Sequence, residues 1–228
     1  MIELAVVDLN GTTVCDNGAV ERALLEALAG AGLEAHGPDV PARLAFLRET
    51  MGMPRIDVLR ALFLDDEERA WDAARRFEDA FDAAVARGEV EALPGAETAL
   101  TALGAAGMRV CLVTELSHRN RDHLLDVLGW RDLVDLAVGP DDGLRGAPAP
   151  DLVLSAVMRL GAGAVHSVAV AGDTASDLEA GTRAGASIVA GVLTGAHGRD
   201  ELADAPHTHL LDGVHQLPEV IAAAPVAT

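Results

Sequence analysis

The feature that most constrains this chain is a series of short, nearly unbroken apolar runs: Ile2–Val7, Arg109–Val113, Leu133–Val138, Ser167–Ala171, Ser187–Val192 and Thr208–Leu211. Most of them do not alternate polar with apolar residues. Each therefore reads as a strand covered on both faces, which is the condition of a parallel sheet. Helical segments lie between the later runs, at Ala96–Ala106, Ser117–Leu128, Asp151–Leu160 and Ser176–Ala184. Strand–helix alternation of this kind predicts an α/β fold built on a doubly wound parallel sheet.

One long segment interrupts the alternation. From Ala19 to Leu93 no convincing strand is visible, and the pattern predicts helices at Ala19–Ala29, Val40–Thr50, Arg55–Phe63 and Asp65–Ala86. Asp16-Asn17-Gly18 punctuates the start of this block and Pro94-Gly95 its end. The expected division is a core formed by residues 1–16 and 94–228, with residues 17–93 as an inserted helical domain. An insertion directly after the first strand covers the carboxyl edge of the sheet, where ligands of open α/β sheets bind. In its last helix Trp71, Ala74, Phe77, Phe81 and Val85 recur at helical spacing, which predicts a buried stripe opposite a charged, solvated face.

Carboxylates collect at that same edge. The first strand runs into Asp8-Leu9-Asn10-Gly11-Thr12-Thr13. An acid followed by glycine and hydroxyls can place backbone N–H groups around an anion, although such an Asp also serves simply to cap a turn. The run Ser167–Ala171 leads into Gly172-Asp173-Thr174-Ala175-Ser176-Asp177, with two acids four residues apart across a strand-to-helix turn. A helix N-cap explains Ser176 or Asp177, and explains Asp173 less readily. Mg²⁺ takes carboxylate oxygens that converge from separate segments while it keeps several waters, and Asp8 with Asp173 would supply them. Thr114 ends the run Arg109–Val113, and its hydroxyl with the neighbouring backbone N–H offers a second anion contact. A threonine at a strand end is otherwise structural.

Composition narrows the chemistry. The formal net charge is −19, which disfavours non-specific binding to DNA, RNA or an anionic membrane surface. Four Phe, two Trp and no Tyr argue against a stacking platform for single-stranded nucleic acid. All 17 basic residues are arginine, so no lysine Schiff base can form. Cys15 and Cys111 do not have a metal-binding spacing, and Cys111 lies inside an apolar run, where packing is its expected role. No apolar run approaches the roughly 18 residues of a membrane span. These features predict a soluble, cytoplasmic protein.

Taken in order, Asp8–Thr13, Thr114 and Gly172–Asp177 resemble the three acidic and hydroxyl motifs of the haloacid dehalogenase superfamily, and the helical insertion resembles its C1-type cap. A narrower resemblance to the phosphonatase-like branch rests on Gly11–Val14, Met51–Asp57, Gly172–Thr174 and Gly191–His197. The resemblance implies a Rossmann-like core and a phosphatase acting on a small phosphorylated or phosphonate-related metabolite, as a monomer or homodimer. It implies that Asp8 attacks phosphorus and forms an aspartyl-phosphate. Mg²⁺ would be held by Asp8, the main-chain carbonyl of Asn10 and Asp173, with Asp177 orienting its waters or the phosphate-binding turn. Thr114 would hold the transferring oxygens, and Gly11, Thr12, Arg55 and Glu115 would contact substrate.

Three departures from the family pattern stand out. The general acid expected two residues after the nucleophile is Asn10, which cannot give up a proton. His36, His118 and His123 are conceivable donors, with ordinary surface roles as the alternative. Arg55 occupies the position of the cap lysine of phosphonoacetaldehyde hydrolases; arginine is a poor amine nucleophile but can clamp an anion, unless it is simply a surface residue. The third-motif cation before the Pro-x-Pro turn is Ala147, leaving Arg145 as the nearby candidate. These changes keep open two further readings: a catalytically impaired relative that binds a phosphorylated ligand or a partner, and a dehalogenase-like C–X hydrolase. The acidic pair Asp173 and Asp177 counts against the latter, which needs no metal.

Overall fold

In the computed structural model, which describes residues 1–33, 39–50, 53, 55–64 and 66–224, the first apolar run forms β1 (Leu4–Asp8). A two-residue strand β2 (Val14–Cys15) follows, and then four helices: α1 (Ala19–Gly30), α2 (Val40–Glu49), α3 (Arg55–Leu62) and α4 (Glu67–Ala86). The chain returns through β3 (Glu91–Ala92), which pairs antiparallel with β2. From there the alternation resumes: α5 (Ala96–Ala105), β4 (Arg109–Val113), α6 (His118–Leu128), β5 (Leu136–Val138), α7 (Asp151–Leu160) and β6 (Val168–Gly172). It ends with α8 (Ala175–Ala184), β7 (Ile188–Val192), α9 (Arg199–Asp204), β8 (His209–Leu211) and α10 (Leu217–Ala223).

Six strands make one sheet in the order β5-β4-β1-β6-β7-β8, and every neighbouring pair is parallel. The predicted doubly wound sheet is therefore present. Leu4, Ala5, Val6 and Val7 are all fully buried, with Ala5 and Val7 packed on one face and Leu4 and Val6 on the other. That two-sided burial is why the strand reads as a continuous apolar run rather than an alternating one. Chain progression reverses beside β1, which has β4 on one side and β6 on the other. Asp8 is in register with Val113, and Val7 with Ala171. The carboxyl ends of β1, β4 and β6 thus lie level, at the switch point where such sheets bind ligands.

The short β2–β3 ribbon marks where the helical insertion leaves the core and rejoins it. It is too short for period-two patterning to announce it. In α4 the Asp66 side chain accepts the Arg69 N–H at 3.2 Å, capping the first turn. The buried face of α4 is Ala70, Ala73, Phe77, Phe81, Ala84 and Val85. Trp71, expected in that stripe, is 49% exposed, and its indole N–H donates to Glu67. The face turned inward sits one residue back, where alanines let α1 approach closely. Helix α4 also rests on the core: the Asn120 side-chain amide on α6 donates to the Glu78 carbonyl at 2.9 Å and to Asp82 at 2.7 Å.

Helices α9 and α10 were not expected, being short and mixed in composition. His36, Met51, Gly52, Pro54 and Asp65 lie outside the described residues.

Candidate active site

After β1 the backbone turns back on itself within a few residues. The Leu9 carbonyl accepts the N–H groups of Thr13 and Val14, both at 2.9 Å, and Gly11 N–H donates to Val14 at 2.8 Å. The Thr13 hydroxyl adds bonds to the Asp8 and Leu9 carbonyls at 3.1 and 3.0 Å. Gly11 has φ +88°, the left-handed region that favours glycine. A Cβ there would run into the Asp173 carboxyl. This turn leaves Asp8 and Asn10 facing a cavity of about 300 Å³.

Asp173 is nearly fully buried and enters the same cavity from the end of β6. Its oxygens accept the Thr12 hydroxyl at 3.1 Å and the Ala196 N–H at 2.7 Å. The Thr194 hydroxyl reaches across to the Gly11 carbonyl at 2.7 Å. Segment Gly191–His197, quoted above only as a branch marker, therefore braces both acidic loops. His197 belongs to this brace, since its Nδ1 accepts the Ala175 N–H at 3.0 Å. Sequence reasoning gave Thr194, Ala196 and His197 no individual role, because backbone bracing leaves no residue-type signal. Asp177 is the third residue of a capping box: its carboxylate accepts from the Thr174 N–H at 3.0 Å and hydroxyl at 2.6 Å. The helix-cap reading thus holds for Asp177 but not for Asp173, and Asp177 lines the cavity as well.

Crowding shows in the ionisation of these acids. Burial, then the neighbouring Asp177 and Asp173 carboxylates, hold the Asp8 carboxyl well above the ordinary carboxylate range. Burial and Asp177 raise Asp173 in the same way. Burial also raises Asp177, against the pull of its Thr174 bonds. Thr114 is buried at the mouth of β4, and its oxygen accepts the Leu116 N–H at 3.2 Å, leaving the hydroxyl proton available to a ligand.

The basic candidates separate. Arg145 is not brought to the site: both of its guanidinium arms are taken by Asp151 at 2.9 and 2.7 Å, and its side chain is 76% exposed. Asp151 opens α7, and the acid at that helix start captures the nearest cation. Arg55 does reach the cavity, and it is the one cationic side chain among the described residues lining it, against Asp8, Asp16, Glu115, Asp173 and Asp177. Its guanidinium lies 4.3 Å above the Phe77 ring, and its Nε is buried without a partner. Burial lowers its pKa to about 10, opposed by Glu115 and Asp16, so it stays charged at neutral pH. Asp16, loop punctuation by its sequence context, accepts the Val20 N–H in the first turn of α1 at 2.8 Å and lines the cavity too. His118 and His123 do not line it; they face Asp142 at 3.3 Å and Asp82 at 3.2 Å.

A family model of haloacid dehalogenase-like hydrolases matches residues 2–185, most of the chain and every motif from Asp8 to Asp177. The chain belongs to that family. This hydrolase is 30% identical to the "Probable phosphatase IndB" of Dickeya dadantii (strain 3937), over 98% of its own length and 94% of that protein. Among solved structures, a hydrolase from Pseudomonas syringae superposes on it with a TM-score of 0.84 at 23% identity, covering 99% of this chain and 100% of that one. A phosphonoacetaldehyde hydrolase-like protein from Oleispira antarctica superposes with a TM-score of 0.80 at 22% identity, covering 97% and 91%. Such neighbours share the hydrolase's fold.

Proposed function

We propose that the protein is a Mg²⁺-dependent phosphatase of small phosphorylated metabolites, with Asp8 as nucleophile. The observation that carries this reading is the meeting of Asp8, Thr114, Asp173 and Arg55 around one cavity of about 300 Å³, a size suited to a small molecule. The curated relative named as a probable phosphatase supports it. The two cysteines are free, which suits a cytoplasmic enzyme.

The donor set suits a hard divalent cation. Asp8, the Asn10 main-chain carbonyl and Asp173 offer only oxygen, and the Asn10 side-chain oxygen is buried without a partner. Mutual repulsion among three partly or fully buried acids is what a dication relieves. Among the described residues no three acidic, histidine or cysteine side chains form a ready-made metal cluster. Two carboxylates and a carbonyl with waters completing the shell is the arrangement Mg²⁺ favours. When bound, the ion neutralises the approach of one anion to another.

The chain's own groups then divide the work. Asp8 attacks phosphorus in line and carries the phosphoryl group until water hydrolyses it. Thr114 donates its hydroxyl to a phosphoryl oxygen, and the turn Asn10–Thr12 frames the others. Arg55 supplies the positive charge that position 147 lacks, from the insertion rather than from the core, so the insertion acts as a cap that completes the anion site. Asp177 and Thr12 hold the acidic loops in place.

A panel of phosphorylated sugars, acids and nucleotides with Mg²⁺ tests the reading. Turnover that Asp8→Asn removes is expected. Tight binding of beryllofluoride with no turnover on the whole panel would instead make the protein a ligand-binding relative. Turnover insensitive to EDTA would contradict the Mg²⁺ dependence, and metal-independent halide release from a 2-haloacid would point to C–X chemistry.

A further inference from the structure

Position 10 cannot protonate a leaving oxygen, yet a second carboxyl faces the same cavity. Glu115 follows Thr114 at the carboxyl end of β4. Its Oε1 accepts the Ala147 N–H at 3.1 Å, and its Oε2 is buried with no partner. Gly146 makes the room: a Cβ there would collide with the Glu115 carboxyl. The loop that lacks the third-motif cation is thus shaped around an acid, which one backbone N–H fixes by one oxygen while the other stays uncommitted.

The charged groups around Glu115 define its place. From the core it feels Asp177 and Asp8, and from the insertion Arg55 and Asp57. It lines the nucleophile's cavity and is within electrostatic reach of charged groups of both core and insertion. In-line attack by Asp8 sends the leaving oxygen away from Asp8, into the cavity that Glu115 also lines. Burial, with Asp177, lifts the carboxyl to about 7 against the Ala147 N–H and Arg55, so a proton is held near neutral pH.

We propose that Glu115 is the proton donor to the leaving oxygen, standing in for the acid that Asn10 replaces. This rests on the phosphatase reading of Asp8. As the Asp8–phosphorus bond forms and the bond from phosphorus to the leaving oxygen breaks, Glu115 gives its proton to that oxygen, releasing an alcohol and leaving a carboxylate. The carboxylate then takes a proton from the attacking water, whose oxygen bonds phosphorus as the Asp8–phosphorus bond breaks. Inorganic phosphate leaves, Asp8 is a free carboxylate again, and Glu115 is reprotonated.

The test compares Glu115→Gln on p-nitrophenyl phosphate, whose leaving group needs little protonation, and on the alkyl phosphate the wild type turns over fastest. Glutamine keeps the acceptor for Ala147, and turnover of the aryl ester reports an intact fold. Expected is a loss of about 10²–10⁴-fold in the single-turnover rate of alcohol release from the alkyl ester and less than about threefold in the single-turnover release of p-nitrophenol, the step before the shared hydrolysis of the Asp8 phosphoryl group. The decline of alkyl turnover as pH rises should vanish in the variant, and Asn10→Asp added to Glu115→Gln should restore alkyl turnover. Equal losses on both esters, or a wild type active on aryl esters alone, would overturn the role of Glu115 and spare the phosphatase reading. A wild type that hydrolyses neither ester would overturn both.

Discussion

The Thr12 hydroxyl donates to the Asp173 carboxylate at 3.1 Å, joining the turn after β1 to the loop after β6 across 161 positions of chain. Both residues are buried, so this bond sets the distance between the two acidic loops in a place where water cannot substitute. Thr12→Val keeps the shape and removes the donor. Half-maximal Mg²⁺ activation should shift upward by about 10–100-fold, the usual cost of losing a group that orients a metal ligand. Metal titration of turnover checks it.

Arg55 gives the second prediction. Five acids line the cavity and one cation answers them among the described residues. Arg55→Ala should raise KM by about 10–100-fold, the worth of hydrogen bonds to a charged group. Arg55→Lys should recover only part of it, because an ammonium cannot grip two oxygens in a plane. Steady-state kinetics on the best panel substrate decides.

Ionisation of the acids predicts an inverted pH response. The folded-state pKa of Asp8 lies above its unfolded value of 3.8, so the folded state holds the proton where the unfolded state has released it. That contribution to stability is full below the unfolded value and is lost as pH rises toward the folded one. Metal-free Asp8→Asn should therefore melt above metal-free wild type at pH 8, with the gap closing toward pH 4. Mg²⁺ should raise the wild-type melting point more at pH 8 than at pH 5. Calorimetry with and without EDTA reads both.

The contact between insertion and core supplies a fourth. Asn120 is fully buried and spends its side-chain amide on Glu78 and Asp82 of α4. Arg119 adds bonds to Asp79 at 2.7 Å and Asp82 at 2.8 Å. Asn120→Ala should cost about 1–3 kcal/mol, since it removes both hydrogen bonds that a fully buried amide makes to α4. Arg119→Ala should cost less, its side chain being 55% exposed. Urea midpoints distinguish the two.

Much of this was legible beforehand, for physical reasons. Two-sided burial writes a strand as an unbroken apolar run, so β1, β4, β6 and β7 were found to within two residues. The switch-point acids were legible because each ends such a run. The choice between Arg55 and Arg145 was not, because a long flexible side chain can go to a cavity or to a local helix start. Only the position of Asp151 decides that Arg145 is spent. Trp71 went astray because helical spacing gives a stripe but not which way the stripe turns. The brace by Thr194 and Ala196 stayed hidden because each bond has a backbone group at one end: the Gly11 carbonyl accepts from Thr194, and the Ala196 N–H donates to Asp173.

The central claim is that Asp8 carries the phosphoryl group. Acid-quenching a turning-over sample with Mg²⁺ and reducing it with borohydride converts an aspartyl-phosphate to homoserine, which peptide mass spectrometry locates. The account predicts homoserine at position 8 and nowhere else, absent without substrate. Full turnover with an unmodified Asp8, or homoserine at another acid, would contradict it.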